Sequence, residues 1–236
     1  MSRRTTAVCQ AAAQRFVDLK AVPQRKCMVM PNGIETAEFT PDQARRALTR
    51  EQMGVNGNFI WMTAGRVVEA KDYQNLLRAF ARILAVDPHV ELWVAGASTA
   101  DESERLRDMS AIRGMGDAVR WLGLRRDLPA LLDAADGFVL ASTWEGMPLA
   151  VGEAMAMEKP VVATDVGGTR ELVGEAGAVV PSKAPDALAV AMLELMHRTP
   201  EDRHTQGLME RQRICRKFSM DTKADEWEAL YRTVLE

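Results

Sequence analysis

From Phe59 onward the chain alternates between short apolar runs and longer stretches with apolar residues at helical spacing. Phe59-Ile-Trp-Met-Thr-Ala runs without a charge into Gly65, the pattern of a strand buried on both faces. Tyr73 to Val86 then places Leu76, Leu77, Phe80, Ile83 and Leu84 on one helical face. Val90–Ala95, Ala118–Leu122, Gly137–Ala141, Pro160–Thr164 and Ala178–Val180 read as further strands. Helices are predicted over Asp101–Met109, Leu128–Ala135, Leu149–Met157 and Pro185–His197. Repeated strand–helix alternation predicts an α/β fold, a Rossmann-like parallel sheet flanked by helices. Three strands run into a glycine, Gly65, Gly96 and Gly123, so their loops collect at one carboxyl edge. Open sheets of this kind bind ligands there, at the topological switch point. The two ends differ. Residues 1–50 are polar, with a helical patch and one strand-like run, Cys27-Met-Val-Met. Residues 200–236 are helical and charged, anchored by Phe218, Trp227, Leu230 and Tyr231.

Composition narrows the class only a little. The 236 residues are 47% hydrophobic and 27% charged, ample for one large or two small globular domains. Thirty basic and 33 acidic side chains leave a net charge of −3, with no basic footprint for nucleic acid. Cys9, Cys27 and Cys215 fit no zinc or redox spacing and read as reduced thiols of a cytoplasmic protein. No apolar run approaches the roughly 20 residues of a membrane span, and no signal-peptide core follows the basic start.

The candidate chemistry centres on Ser142-Thr-Trp-Glu145-Gly-Met-Pro-Leu-Ala-Val-Gly-Glu153. Two carboxylates stand eight positions apart around a Gly-Met-Pro turn, one in a loop and one inside the following helix. Pro148 suits the first helical turn, where its missing N–H costs nothing. A helix opening there aims free N–H groups at whatever sits above the sheet, a setting for phosphate. The flanking carboxylates suit sugar hydroxyls.

This segment, followed by Lys159-Pro-Val-Val-Ala-Thr-Asp-Val-Gly-Gly168-Thr-Arg-Glu171-Leu, resembles the Glu-x7-Glu signature of family-4 (GT4) retaining glycosyltransferases of the GT-B fold. Ala64-Gly65-Arg66-Val-Val-Glu-Ala-Lys71 resembles that family's diphosphate-binding turn. Val29-Met-Pro-Asn32-Gly33-Ile34…Phe39-Thr-Pro41 resembles its interdomain linker. The three motifs occur in the family's order, and the resemblance runs from about Val8 to the end of the chain.

The resemblance implies the C-terminal, donor-binding half of a GT-B enzyme. Residues 1–41 are then the tail of an N-terminal domain plus linker, 42–218 the nucleotide-sugar domain, and 219–236 a crossover helix. The bulk of the acceptor domain, with its glycine-rich loop and active-site histidine, is not in this sequence. The implied substrate is a UDP- or GDP-linked sugar, with no cofactor and no metal, and the sequence has no Asp-x-Asp. The implied location is cytoplasmic, with peripheral contact at the inner membrane face through the missing half.

The implied roles divide as follows. Arg66 and Lys71 take the diphosphate, Arg66 bidentately and Lys71 as a compact charge. Glu153 takes the ribose diol, and Glu145 the donor sugar or positive charge developing on it. Main-chain N–H groups of Gly146, Met147, Leu149 and Ala150, around Pro148, face sugar and phosphate. Leu124 and Arg125 lie in the loop that reads the base, with Arg125 or Arg126 stacked on it; a plain turn before an Asp127 helix cap is the alternative. Gly167, Gly168 and Thr169 make a tight loop beside the sugar or diphosphate, or a plain turn. Met155 and Met157 belong to the core, and His89, His197 and His204 take no catalytic role. One departure is Glu158, where the family usually closes the helix with a left-handed glycine.

Other functions fit parts of the pattern. A nucleotide-sugar-binding module or fragment without turnover would keep the same site. Another GT-B enzyme, an epimerase or a phosphorylase, lacks support from the paired glutamates with Gly-Arg…Lys. A dinucleotide-binding domain would want Gly-x-Gly-x-x-Gly where Gly65-Arg-Val-Val-Glu-Ala stands. A glycosidase pair is disfavoured because Glu153 sits inside a helix.

Overall fold

The computed structural model describes residues 4–55, 57–112 and 114–235. A six-stranded parallel sheet forms its centre, built from β3 (Phe59–Ala64), β4 (Val90–Ala95), β5 (Val119–Gly123), β6 (Gly137–Leu140), β7 (Val161–Thr164) and β8 (Ala178–Val180). These labels follow a short leading pair, β1 (Thr5–Ala7) and β2 (Cys27–Val29), joined by α1 (Gln10–Asp18). The strand order is β5-β4-β3-β6-β7-β8, and every pairing is parallel. The chain starts the sheet in the middle, builds outward to β5, then crosses back to β6 on the other side of β3. The switch point therefore lies between β3 and β6.

Alternation along each strand sends side chains to two helical layers. Ile60, Met62, Trp93, Phe138 and Leu140 pack with residues of α5 (Leu128–Ala134), α6 (Leu149–Ala156) and α9 (Pro200–Lys217). Trp61, Leu92, Val94, Val139 and Val162 pack with residues of α3 (Tyr73–Val86), α4 (Ala100–Ile112) and α8 (Pro185–Met196). Met155 and Met157 are fully buried in the first layer. The strands and helices expected from Phe59 onward are present with ends shifted by a few residues. The short helix α7 (Thr169–Val173) and strand β1 were not expected. β1 is three residues of mostly polar character, too short to give a period-2 signal.

Asp136, just before β6, ties the two central strands to α2 (Gln43–Gln52). Its carboxylate accepts from Arg46 at 2.5 Å, from Arg50 at 3.1 Å and from the Ile60 N–H at 2.8 Å. Arg46 also donates to the carbonyls of Asp133, Ala134 and Ala135 at 2.6, 3.1 and 2.7 Å, satisfying the C-terminal end of α5. The start of β6 is thereby fixed beside the start of β3.

The segment 30–41 after β2 is stitched to the junction between α9 and α10 (Met220–Leu235). Ile34 donates to the Phe218 carbonyl at 2.7 Å, and Met220 donates to the Ile34 carbonyl at 2.9 Å. A Cβ on Gly33 would stand 2.8 Å from Met220 Sδ, so the glycine permits this close approach. Ile34 in turn fills the space over Gly152 of α6, where a Cβ would meet Ile34 Cδ1 at 2.6 Å.

Candidate functional site

Two loops leave the carboxyl ends of β3 and β6 and face each other across the switch point. The first is Gly65 to Asp72. Gly65 has φ +151°, a region open mainly to glycine, and its carbonyl accepts from Tyr73 Oη at 3.0 Å. A Cβ on Gly96, at the end of β4, would overlap that same carbonyl oxygen, so the two glycines let adjacent strand ends close up. Burial holds the Tyr73 hydroxyl well above its usual range, with the Glu145 charge adding to it, so it is a neutral donor. Glu69 to Lys71 make one 3-10 turn, and left-handed Asp72 (φ +44°) caps α3 by accepting from Asn75 at 3.1 Å.

The second loop is Ser142 to Pro148. Lys71 Nζ reaches across to Glu145 Oε1 at 2.5 Å, with the lysine side chain 21% and the glutamate 11% exposed. The same oxygen accepts from Ser142 Oγ at 2.6 Å, and the Ser142 carbonyl accepts from Thr164 Oγ1 at 2.7 Å. Thr143 N–H donates to the Ala70 carbonyl at 2.8 Å, a main-chain tie between the two loops. A cation and a carboxylate separated by 74 residues are thus held together at the carboxyl edge.

Pro148 stands one residue earlier than expected. It is the N-cap of α6 with extended geometry (φ −75°, ψ 101°), not a residue of the first turn. A proline cannot offer a capping oxygen, so no side chain caps this end of α6. Gly146 is half-buried, Met147 and Pro148 are buried, and Leu149 is exposed. Glu153 lies half-buried in α6. Burial raises its pKa, and the carboxylate of Glu38, on the segment between β2 and α2, raises it further. Arg66 is exposed, on the Gly65 loop.

The remaining expected residues divide. Gly167 has φ +55°, and a Cβ there would overlap the Glu145 carbonyl. Gly168 donates its N–H to the Gly146 carbonyl at 2.6 Å. These glycines therefore buttress the Glu145 loop with their own main chain. Thr169 is fully buried and donates its hydroxyl to the Val166 carbonyl at 2.7 Å, closing the turn into α7. At the end of β5, Leu124 is 72% exposed. Arg125 grips Asp127 at 2.8 and 2.5 Å, and Asp127 makes no capping bond to α5. That pair holds Asp127 below and Arg125 above their usual ranges.

Three contributors were not foreseen. Ser142 orients Glu145 from three residues upstream, a signal that was within reach in the sequence. Glu38 meets Glu153 only through the fold. The third is α1, whose first N–H (Gln10) donates to Glu171 Oε1 at 2.8 Å and whose Cys9 packs on Gly168. This contact sets α1 as a wall in front of the Glu145 loop. Among the described residues, no group of histidine, cysteine or carboxylate side chains is arranged to hold a metal ion, and no helix is long and apolar enough to cross a membrane.

The Rossmann-like parallel sheet with its switch point between β3 and β6 is the fold shared with solved GT-B glycosyltransferases. Residues 58–198 match the family model of group 1 glycosyl transferases, more than half of the chain, and the chain belongs to that family. It is 32% identical over 198 residues to a D-inositol 3-phosphate glycosyltransferase of Geodermatophilus obscurus, an alignment covering 79% of this chain and 44% of that protein. The chain spans about half the length of the curated relatives it matches. Among solved structures, Anabaena Alr3699/HepE in complex with UDP and glucose superimposes with a TM-score of 0.92 at 23% identity, over 99% of this chain and 64% of that one. The C-terminal domain of a group 1 glycosyl transferase from Francisella tularensis matches with a TM-score of 0.72 at 23% identity, over 80% of this chain and 100% of that one.

Proposed function

We propose that this chain provides the donor site of a glycosyltransferase that moves a sugar from a UDP- or GDP-linked donor to an acceptor hydroxyl with retention at the anomeric carbon. The observation that carries the reading is the Lys71–Glu145 pair across the switch point, with Glu153 on the helix that starts beside it. In this reading Arg66 and Lys71 neutralise the diphosphate as it departs with the electron pair of the broken bond. The acceptor hydroxyl takes its place on the same face and gives its proton to the departing diphosphate oxygen. Preorganised charges facing a developing anion commonly supply several kcal/mol. Main-chain N–H groups of Gly146, Met147, Leu149 and Ala150, at the α6 N-terminus, hold the sugar and phosphate oxygens. Glu145 takes sugar hydroxyls and Glu153 the ribose diol. No cofactor or metal is assigned a part.

The close approach of an acceptor requires a second surface, which we assign to an acceptor domain belonging to the same enzyme. We place the enzyme in the cytoplasm, with any membrane contact made through that domain. Relatives of this chain include a lipopolysaccharide core mannosyltransferase of Rhizobium meliloti, which supports a saccharide acceptor.

Calorimetric titration with UDP, GDP and ADP tests the donor site. One of them should bind at micromolar affinity, and Glu153→Ala should abolish it. Absence of binding by all three would overturn the assignment of Arg66, Lys71 and Glu153 in this chain.

A further inference from the structure

Past Met62 and Phe138, the last residues paired between β3 and β6, the two strands part. The loops that follow are tied again by the Thr143 N–H on the Ala70 carbonyl at 2.8 Å. Between these two ties the chain after β3 keeps only its β4 side. Gly65 N–H donates to the Ala95 carbonyl at 2.9 Å, and Val67 N–H to the Ala97 carbonyl at 2.8 Å. Alternate residues of an extended chain turn their N–H groups to opposite edges. The N–H of Arg66, between those two, therefore faces away from β4, toward the opening beside β6. Among the described residues no acceptor takes it.

The Gly65 carbonyl points the other way, to the end of β4, where a Cβ on Gly96 would stand 1.8 Å from its oxygen. Among the described residues no main-chain N–H donates to it. Tyr73, the first residue of α3, supplies the donor through Oη at 3.0 Å. The tyrosine is firmly seated: it is buried, and its ring lies 6.3 Å from that of Trp121. The peptide joining Gly65 to Arg66 is planar and trans, so its carbonyl and its N–H point in opposite directions. A grip on the oxygen thereby aims the N–H. Without that grip, a glycine at φ +151° has no side chain to resist rotation of the peptide.

We propose that Tyr73 is a positioning residue for the donor diphosphate: by holding the Gly65 carbonyl it aims the Arg66 N–H, and the start of the Arg66 side chain, at the phosphate oxygens. The inference rests on reading Arg66 and Lys71 as the diphosphate site. An N–H on an anionic oxygen is a charge-assisted bond, stronger than one between neutral groups. Tyr73 acts through the main chain and needs no contact with the ligand.

The test compares the 236-residue chain with Tyr73→Phe, which keeps the ring beside Trp121 and removes the hydroxyl. UDP and uridine are titrated by calorimetry, and the Arg66 amide resonance is followed by 1H–15N NMR. In the original chain UDP should move the Arg66 amide proton downfield, and uridine should not. Tyr73→Phe should weaken UDP about tenfold, leave uridine within about twofold, and lose most of the downfield shift. A hydroxyl that serves stability alone would lower Tm while UDP and uridine either keep their affinities or lose them equally. Either result overturns the positioning role, and so does an Arg66 amide that UDP leaves in place; the donor reading survives all three because UDP still binds the original chain. If UDP fails to bind the original chain, the donor reading falls and the role of Tyr73 falls with it.

Discussion

Replacing Lys71 by methionine separates the structural role of the Lys71–Glu145 pair from its role toward a ligand. Methionine keeps most of the aliphatic stem that packs beside Gly65, where a Cβ would stand 3.2 Å from Lys71 Cε, and removes the charge. The pair is neither fully exposed nor fully buried, at 21% and 11% exposure. Exposed pairs contribute about 0–1 kcal/mol, and breaking a fully buried one costs about 3–5 kcal/mol. An intermediate loss of about 1–3 kcal/mol follows, because Glu145 keeps only the Ser142 hydroxyl as partner. For a chain of this size that lowers Tm by about 2–4 °C per kcal/mol. Adding Glu145→Gln to Lys71→Met removes the stranded charge and should recover most of the loss. Affinity should behave differently. If Lys71 contacts the diphosphate, UDP should bind about 10–100-fold more weakly to Lys71→Met, and uridine should be unchanged. The double variant should not recover UDP binding. Differential scanning calorimetry and titration calorimetry on the same samples read both quantities. Equal losses for UDP and uridine, or recovery of UDP binding in the double variant, would refute a direct role of Lys71 at the diphosphate.

Two further variants probe the frame around the site. Glu158 is the left-handed residue (φ +57°) that closes α6: its N–H donates to the Met155 carbonyl at 3.1 Å, and Lys159 donates to the Ala154 carbonyl at 3.0 Å. Glu158→Gly should relieve left-handed strain of about 1 kcal/mol and raise Tm by about 2–4 °C, offset by a long 3.9 Å contact to Arg211 and by the carboxylate's attraction for Lys159; a fall in Tm would show that these charges outweigh the strain. Glu210 is fully buried, with one oxygen accepting from Gln206 at 2.8 Å and from the Val161 N–H at 3.1 Å and the other unpartnered. Burial raises its pKa well above the ordinary glutamate value of 4.5, despite the opposing Gln206 and Val161 bonds. The native state then binds the proton more tightly than the unfolded chain, so stability falls as pH rises from 4.5 through the raised value. Glu210→Gln should remove that decline and be more stable at pH 8 by about 1–3 kcal/mol in denaturant titrations; parallel pH profiles for the two proteins would refute it.

Much of this protein was legible in the sequence because its signals are local. The strand from Phe59 to Ala64 and the helix from Tyr73 to Val86 announce themselves by periods set by backbone geometry alone. The glycine before Arg66 and the paired glutamates around Gly-Met-Pro are contiguous motifs. Whether Glu158 would close α6 in left-handed geometry or end it otherwise was open in the sequence, and the fold sets it at φ +57°. What the sequence could not determine depends on separations closed only by folding. The strand order fixes which loops face each other, and only the β3–β6 neighbourhood brings Lys71 to Glu145. Glu38 shifts Glu153 because the segment between β2 and α2 folds back over α6, where Ile34 sits on Gly152. Thr169 stands in a site-like motif yet spends its hydroxyl on a turn, since a buried hydroxyl must find a nearby acceptor. α1 meets the Glu145 loop through contacts no local pattern announces, among them the Gln10 N–H on Glu171, 161 residues away. Local pattern chooses the elements, because period and capping act over a few residues; long-range packing chooses which side chains share a space.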